Sequence, residues 1–209
     1  MAAKFLDLML TDSVRRAQYA AYGRGTKAPL APESDLLTED EAVFITMRDS
    51  FYLATVNEAG WPYIQHRGGP AGFLHVIDPK TLAFADFHGN RQLLSTGNIL
   101  AHARVALFLM DYPHRTRLKI LGHARVENAH EHPDLAAQLA IPDTRKHVER
   151  IFFIDVVAFD WNCPKYIIPR YSAEDIERLV TPLRARITEL ESQLAGRCPS
   201  ISPAGPKVG

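Results

Sequence analysis

The stretch Phe87 to Asn98, FHGNRQLLSTGN, gathers residue types that hold an anion. Gly89 lets the backbone bend sharply, and Arg91 brings a planar guanidinium that can contact two oxygens at once. Ser95 and Thr96 add hydroxyl donors about one helical turn later. The segment runs from a strand pattern (TLAFADF) into a helix pattern (QLLSTGNILAHA), so the open amides and positive dipole end of the helix would face the same point. A phosphate suits this set. Taken alone, the same residues also read as a turn with a surface arginine and a capping serine. A second cluster is YIQHRGGPAGF, where Arg67 ends a strand and Gly68, Gly69, Pro70 and Gly72 follow. Such backbone bulges or lets a flat ligand approach, and on composition it equally forms a wide loop between hairpins. The third, WNCPKYIIPRY from Trp161 to Tyr171, combines Lys165, Arg170, two tyrosines and a tryptophan that could close over a ligand. Cys163 reads as a structural thiol, because Pro164 follows it and no histidine with a fixed partner lies nearby.

These clusters need elements to hold them. Thr11 to Tyr22 has capping candidates at its start and Gly23 at its end, which predicts a helix, and GRGTKAPLAPES after it is a linker. Thr38 and Glu41 have capping-box spacing ahead of a second helix, AVFITMRDS. FYLATV and WPYIQHRG around NEAG predict one hairpin, and GFLHVID and TLAFADF around Asp78-Pro79-Lys80 another. RVALFLMD is a continuous apolar run, which predicts a strand buried on both faces, and RLKILGHARVEN follows it. A short helix around HPDLAAQLA precedes a seventh strand, RIFFIDVVAFDW. The expected fold is mainly β with flanking helices: an antiparallel six- to seven-stranded split β-barrel with a long C-terminal helix. Residues 1–50 would be N-terminal helices and linker, 51–171 the barrel, 172–195 the helix and 196–209 a flexible tail. In that last helix Ile176, Leu183 and Leu190 interleave with Val180, Ile187 and Leu194 as an apolar seam, for packing on its own barrel or against a second subunit.

The totals narrow the function classes. With 24 basic and 24 acidic residues the formal charge is zero, so no broad basic face for nucleic acid or an anionic membrane is implied. FLDLML near the start is too short for a span and is interrupted by Asp7. Cys163 and Cys198 lack metal-ligand spacing and suit a reducing compartment, so the expectation is a cytoplasmic protein with no metal site.

In their order along the chain, the clusters resemble the pyridoxamine 5′-phosphate oxidase family of FMN-binding split barrels. The likeness runs through FYLATVNEAGWPYIQHR (51–67), GFLHVIDPKTLAFADFHGNRQ (72–92) and ARVALFLMDYPHRTRLKILGHARV (103–126), and extends to a subgroup with a Cys-Pro-Lys run, here Cys163-Pro164-Lys165. The resemblance implies a homodimer with FMN at the subunit interface. It places Arg67, Gly68, Gly69 and Phe73 on the flavin-binding strand, and Asp86 and Phe87 at the edge of the next strand. Asn90, Arg91 and Gln92 fall on the phosphate-binding turn, Ser95 becomes a further phosphate contact, and the Lys165 region the closing segment. Neutral Gln92 stands where the vitamin B6 oxidases carry lysine, and no Arg-x-His element occurs near the C-terminus, so the implied substrate is a small molecule other than pyridoxamine 5′-phosphate. The implied activity is an FMN-dependent oxidoreductase with no residue assigned as acid, base or nucleophile. A non-catalytic FMN-binding protein is one alternative. A haem-binding or haem-degrading split barrel is another, although His66, His75, His88, His102, His114 and His123 are scattered along the chain.

Overall fold

The structure, a computed structural model, describes residues 3–27, 30–89, 91–141, 148–161 and 164–195. Asn90, Cys163 and the expected 196–209 tail lie outside them. Among the described residues the strands are β1 (Ser50–Val56), β2 (Pro62–Gly68), β3 (His75–Asp78), β4 (Thr81–Phe87), β5 (Arg104–Asp111), β6 (Thr116–Asn128) and β7 (Val148–Trp161). The helices are α1 (Ala3–Met9), α2 (Asp12–Tyr22), α3 (Glu39–Thr46), α4 (Leu94–Ala101), α5 (Pro133–Leu139) and α6 (Ala173–Ala195). The chain forms two units, Met1–Ile168 and Pro169–Gly209. None of the described helices is long and apolar enough to cross a membrane.

Local chemistry sets several boundaries. Thr11 caps α2 by accepting a hydrogen bond from the Val14 amide, and Gly23 ends it with φ 66°, a left-handed conformation that glycine adopts without a Cβ clash. At α3 the Thr38 amide donates to Glu41 Oε2 at 2.9 Å, the return half of a capping box. The other carboxylate oxygen of Glu41 accepts from the Trp161 indole at 2.6 Å, tying α3 to the end of β7. Burial raises the Glu41 carboxyl pKa, but hydrogen bonds from Thr38 and Trp161 outweigh that and hold it below its ordinary value.

The seven strands form one antiparallel sheet in the order β2-β1-β5-β6-β7-β4-β3. It is curled. Phe51 on β1 and Phe84 on β4 meet edge to face at 5.3 Å between ring centroids, although β5, β6 and β7 lie between their strands. A flat sheet would separate them by about 19 Å. The strands β2 and β3 end the order and do not pair with each other, so the barrel is split there. Its core holds Phe51, Leu53, Leu82, Phe84, Leu107, Leu109, Leu118, Ile120, Phe152 and Ile154. The bulge at Leu121/Gly122 places Gly122 so close to β7 that a Cβ would stand 2.7 Å from the Asp155 carbonyl oxygen.

One expectation changes. The strand RVALFLMD alternates instead of being buried on both faces: Val105, Leu107 and Leu109 enter the core, while Ala106, Phe108 and Met110 are half-covered on the outside. Periodicity was hidden because both faces carry apolar side chains. The first five residues of the FLDLML segment lie in the helix α1, which buries Phe5, and Leu10 follows the helix end.

Candidate functional site

The split is bridged on one side by a group of polar residues. On β2, alternate residues Tyr63, Gln65 and Arg67 share one face, and all three line a cavity of about 230 Å³. Its other walls are Asp86 and Phe87 from β4, Gly89 to Thr96 across the turn into α4 (Asn90 excepted), and Arg150 from β7. The strands β2 and β4 are five places apart in the sheet, yet Arg67 Nη1 and Asp86 Oδ1 are 2.7 Å apart. This ion pair therefore exists only because the sheet curls.

Asp86 is shared. Its Oδ2 accepts from Arg150 Nε at 3.0 Å and Nη2 at 2.9 Å, and Arg150 Nη2 also meets Glu149 Oε2 at 2.9 Å. Glu149 in turn lies 2.6 Å from His88 Nδ1, and the hydrogen bond from His88 is the main reason its carboxyl pKa is lowered. The register makes this chain possible: Asp86 pairs with Arg150 across β4 and β7, then Phe87 pairs with Val148, leaving Glu149 as the extra residue of a bulge. Bulges of this kind re-aim side chains beside functional sites. Arg67 also lies over the rings of Phe84 and Phe152, at 5.5 and 5.0 Å from their centroids, and its Nε is buried without a hydrogen-bond partner.

Arg91 differs from these two arginines. It is exposed, and no ion pair among the described residues engages it. Its backbone is left-handed at φ 58°, and Leu93, two residues on, is left-handed at φ 52°. Each costs about 1–3 kcal/mol for a residue with a side chain, a cost that persists where the surroundings require the conformation. Leu93 is the N-cap of α4 and gives no side-chain cap, so the first amides of the helix are left for another acceptor. Successive amides in such a turn form a concavity for anions. Ile99 buries the helix in the core, and Asn98 Nδ2 donates to buried Thr55 Oγ1 at 2.9 Å, fixing α4 on β1.

Among the residues singled out by sequence, Arg67, Asp86, Phe87, Arg91, Gln92 and Ser95 come together around the cavity. Ser95 is buried and its hydroxyl donates to Gln65 Oε1 at 2.7 Å, so it orients Gln65, while the neighbouring Thr96 lines the cavity. Gly68, Gly69, Phe73 and Lys165 do not line it. Phe73 is buried and stacks on Phe51 at 5.6 Å. A Cβ on Gly69 would stand 2.8 Å from Phe73 Cβ and Cγ, so what approaches that glycine is the chain's own phenylalanine. Gly68 ends β2 opposite Ser50, and Lys165 is exposed. Sequence reasoning missed Arg150, Tyr63 and Gln65. The period of two counted back from Arg67 was a usable signal for the last two.

Among solved structures, HupZ of Group A Streptococcus is 15% identical and covers 65% of this chain and 100% of its own, with a TM-score of 0.48. A structure described as a candidate pyridoxamine 5′-phosphate oxidase of Lactobacillus delbrueckii is 24% identical over 60% of this chain and 93% of its own, TM-score 0.46. An FMN-binding protein of Syntrophomonas wolfei is 11% identical over 58% of this chain and 82% of its own, TM-score 0.42. No curated protein matches the chain. The family model for pyridoxamine 5′-phosphate oxidase matches residues 37–151, more than half of the 209 residues, spanning β1 to the start of β7 with the whole Arg67–Asp86–Arg91 cavity, and the chain belongs to that family.

Proposed function

We propose that this chain binds FMN with its phosphate at the Arg91 turn, and that it is an FMN-dependent oxidoreductase of a small organic molecule. The observation that carries the reading is that Arg91, without an ion pair among the described residues, and the start of α4, without a side-chain cap from Leu93, line one cavity. A phosphate monoester fits that donor set. It would accept from Arg91, from the first amides of α4 and from Thr96, each charge-assisted bond contributing about 1.5–3 kcal/mol. Arg67 and Arg150 are held by Asp86, and Arg150 by Glu149 as well, so they form a fixed, charge-balanced wall of N–H donors beside the exposed Arg91 guanidinium. Tyr63 and Phe87 provide apolar surface for a flat ring, and Ser95 holds the Gln65 amide in one orientation beside it. FMN, when bound, supplies the electron or hydride transfer, and the chain's residues position it and set its electrostatic surroundings.

A homodimer with the cofactor at its interface accompanies this reading. Tyr52, Ala54 and Val56 on β1 lie beside Ile64 and Pro62 on β2, and Tyr52, Val56 and Ile64 are exposed. That face borders an apolar hollow of about 540 Å³ with Leu8, Met9, Ala106 and Leu121 in its walls, a surface of the kind that a second subunit covers.

The test begins with the visible spectrum of the protein mixed with FMN, followed by titration of Arg91→Ala. The variant should bind FMN at least about tenfold more weakly, or about 1.4 kcal/mol. Unchanged affinity would remove Arg91 from the site. Turnover of the flavin-loaded protein with NAD(P)H or oxygen then separates an enzyme from a binding protein.

A further inference from the structure

Helix α6 (Ala173–Ala195) contains no buried residue. It starts with a reciprocal cap, in which the Asp175 amide donates to Ser172 Oγ at 3.0 Å and the Ser172 amide donates to Asp175 Oδ2 at 2.9 Å. Yet Ile176, Leu183, Ile187, Leu190 and Leu194 are all exposed along one side. An apolar stripe of this length on an isolated helix is unstable in water and requires a cover.

The seam states what cover fits. In heptad terms, Val180, Ile187 and Leu194 occupy a positions and Ile176, Leu183 and Leu190 d positions. Two β-branched residues at a, with leucine at two of three d positions, favour a two-stranded parallel pair. The flanking charges decide the direction. Glu177, Arg184 and Glu191 fall at e, and Leu179, Arg186 and Gln193 at g. In a parallel pair g meets the partner's e five residues on, which sets Arg186 against Glu191 of a second copy, twice by symmetry. An antiparallel pair burying the same seam sets Arg184 against Arg184, Arg186 against Arg186 and Glu177 against Glu191, all like charges. Within one helix, Arg184 already meets Glu177 at 2.9 Å and Arg186 meets Glu189 at 2.5 Å. Both pairs are exposed, so exchanging Arg186 to a new carboxylate costs little. Pro182 falls at c on the outer side, where its ring does not enter the seam.

We propose that α6 forms a parallel two-stranded coiled coil with α6 of a second copy of this chain. The inference does not depend on the flavin site. It is tested on the full chain with Cys163→Ser and Cys198→Ser as background, adding either Leu190→Cys in the seam or Ser192→Cys on the opposite face, with oxidised glutathione as oxidant. The parallel pair predicts that Leu190→Cys gives disulfide-linked dimer at least about tenfold faster than Ser192→Cys. Equal rates, or no cross-link from Leu190→Cys, would overturn it. In an antiparallel pair Leu190 faces Val180 and lies about 15 Å from its own copy. Cross-linking of Val180→Cys with Leu190→Cys in mixed protein, in place of the Leu190 pair, would therefore also overturn it.

Discussion

Arg91 sits in a left-handed backbone, two residues before another left-handed residue, where an arginine gains nothing from packing. That placement was legible in sequence as a Gly-x-Arg turn between strand and helix, because its determinants are adjacent in the chain. Arg150 was not legible. Only the β4–β7 register brings it opposite Asp86, and its neighbours in VERIFFI carry no local sign of a cavity. Gly69 and Phe73 look like a ligand approach by composition; in the structure Phe73 lies against Gly69 and stacks on Phe51, a contact that composition does not reveal. Asp86 holds two arginines, so Asp86→Asn should destabilise the fold by about 2 kcal/mol by leaving mostly buried guanidinium groups facing each other. Inorganic phosphate should then raise the melting temperature of Asp86→Asn more than that of the parent, since an added anion replaces the lost carboxylate. An equal response in both proteins would show that the cavity takes no anion at that end.

At the scale of elements, the chain announces most of its own structure. RVALFLMD and the β5 bounds coincide, and the capping box at Thr38–Glu41 starts α3 as its spacing predicts. What the box does not disclose is that Glu41 also anchors Trp161, a contact 120 residues away. The Glu41 carboxyl pKa is lowered from an ordinary value of 4.5, so its contribution to stability is fully present above that value. It is lost as pH falls through the lowered folded-state pKa. Thermal melts of the parent and Glu41→Gln should therefore differ by about 1–2 kcal/mol near neutral pH and converge as the pH drops below 4.5. A difference independent of pH would assign the effect to packing instead of charge. The outward face of β5 misled for a physical reason: Ala106, Phe108 and Met110 are apolar because that face is half-covered, a density that sequence alone cannot distinguish from full burial.

For the whole molecule, the curl of the sheet is the step that joins the parts. Strand count and turns predict an antiparallel barrel, but nothing in the residue pattern states that β2 and β4 meet, and that meeting creates the cavity. The resemblance puts Arg67 and the 86–92 segment on one cofactor, a grouping that periodicity does not supply. The proposed cofactor role thus depends on the corner between β2, β4 and α4 holding the phosphate of a flavin nucleotide. It is tested most directly by calorimetric titration of the protein with FMN and with riboflavin, which differ only in that phosphate. The account predicts that FMN binds at least about tenfold more tightly than riboflavin, and that Arg91→Ala removes most of the preference. Equal affinities for the two in the parent protein would contradict it.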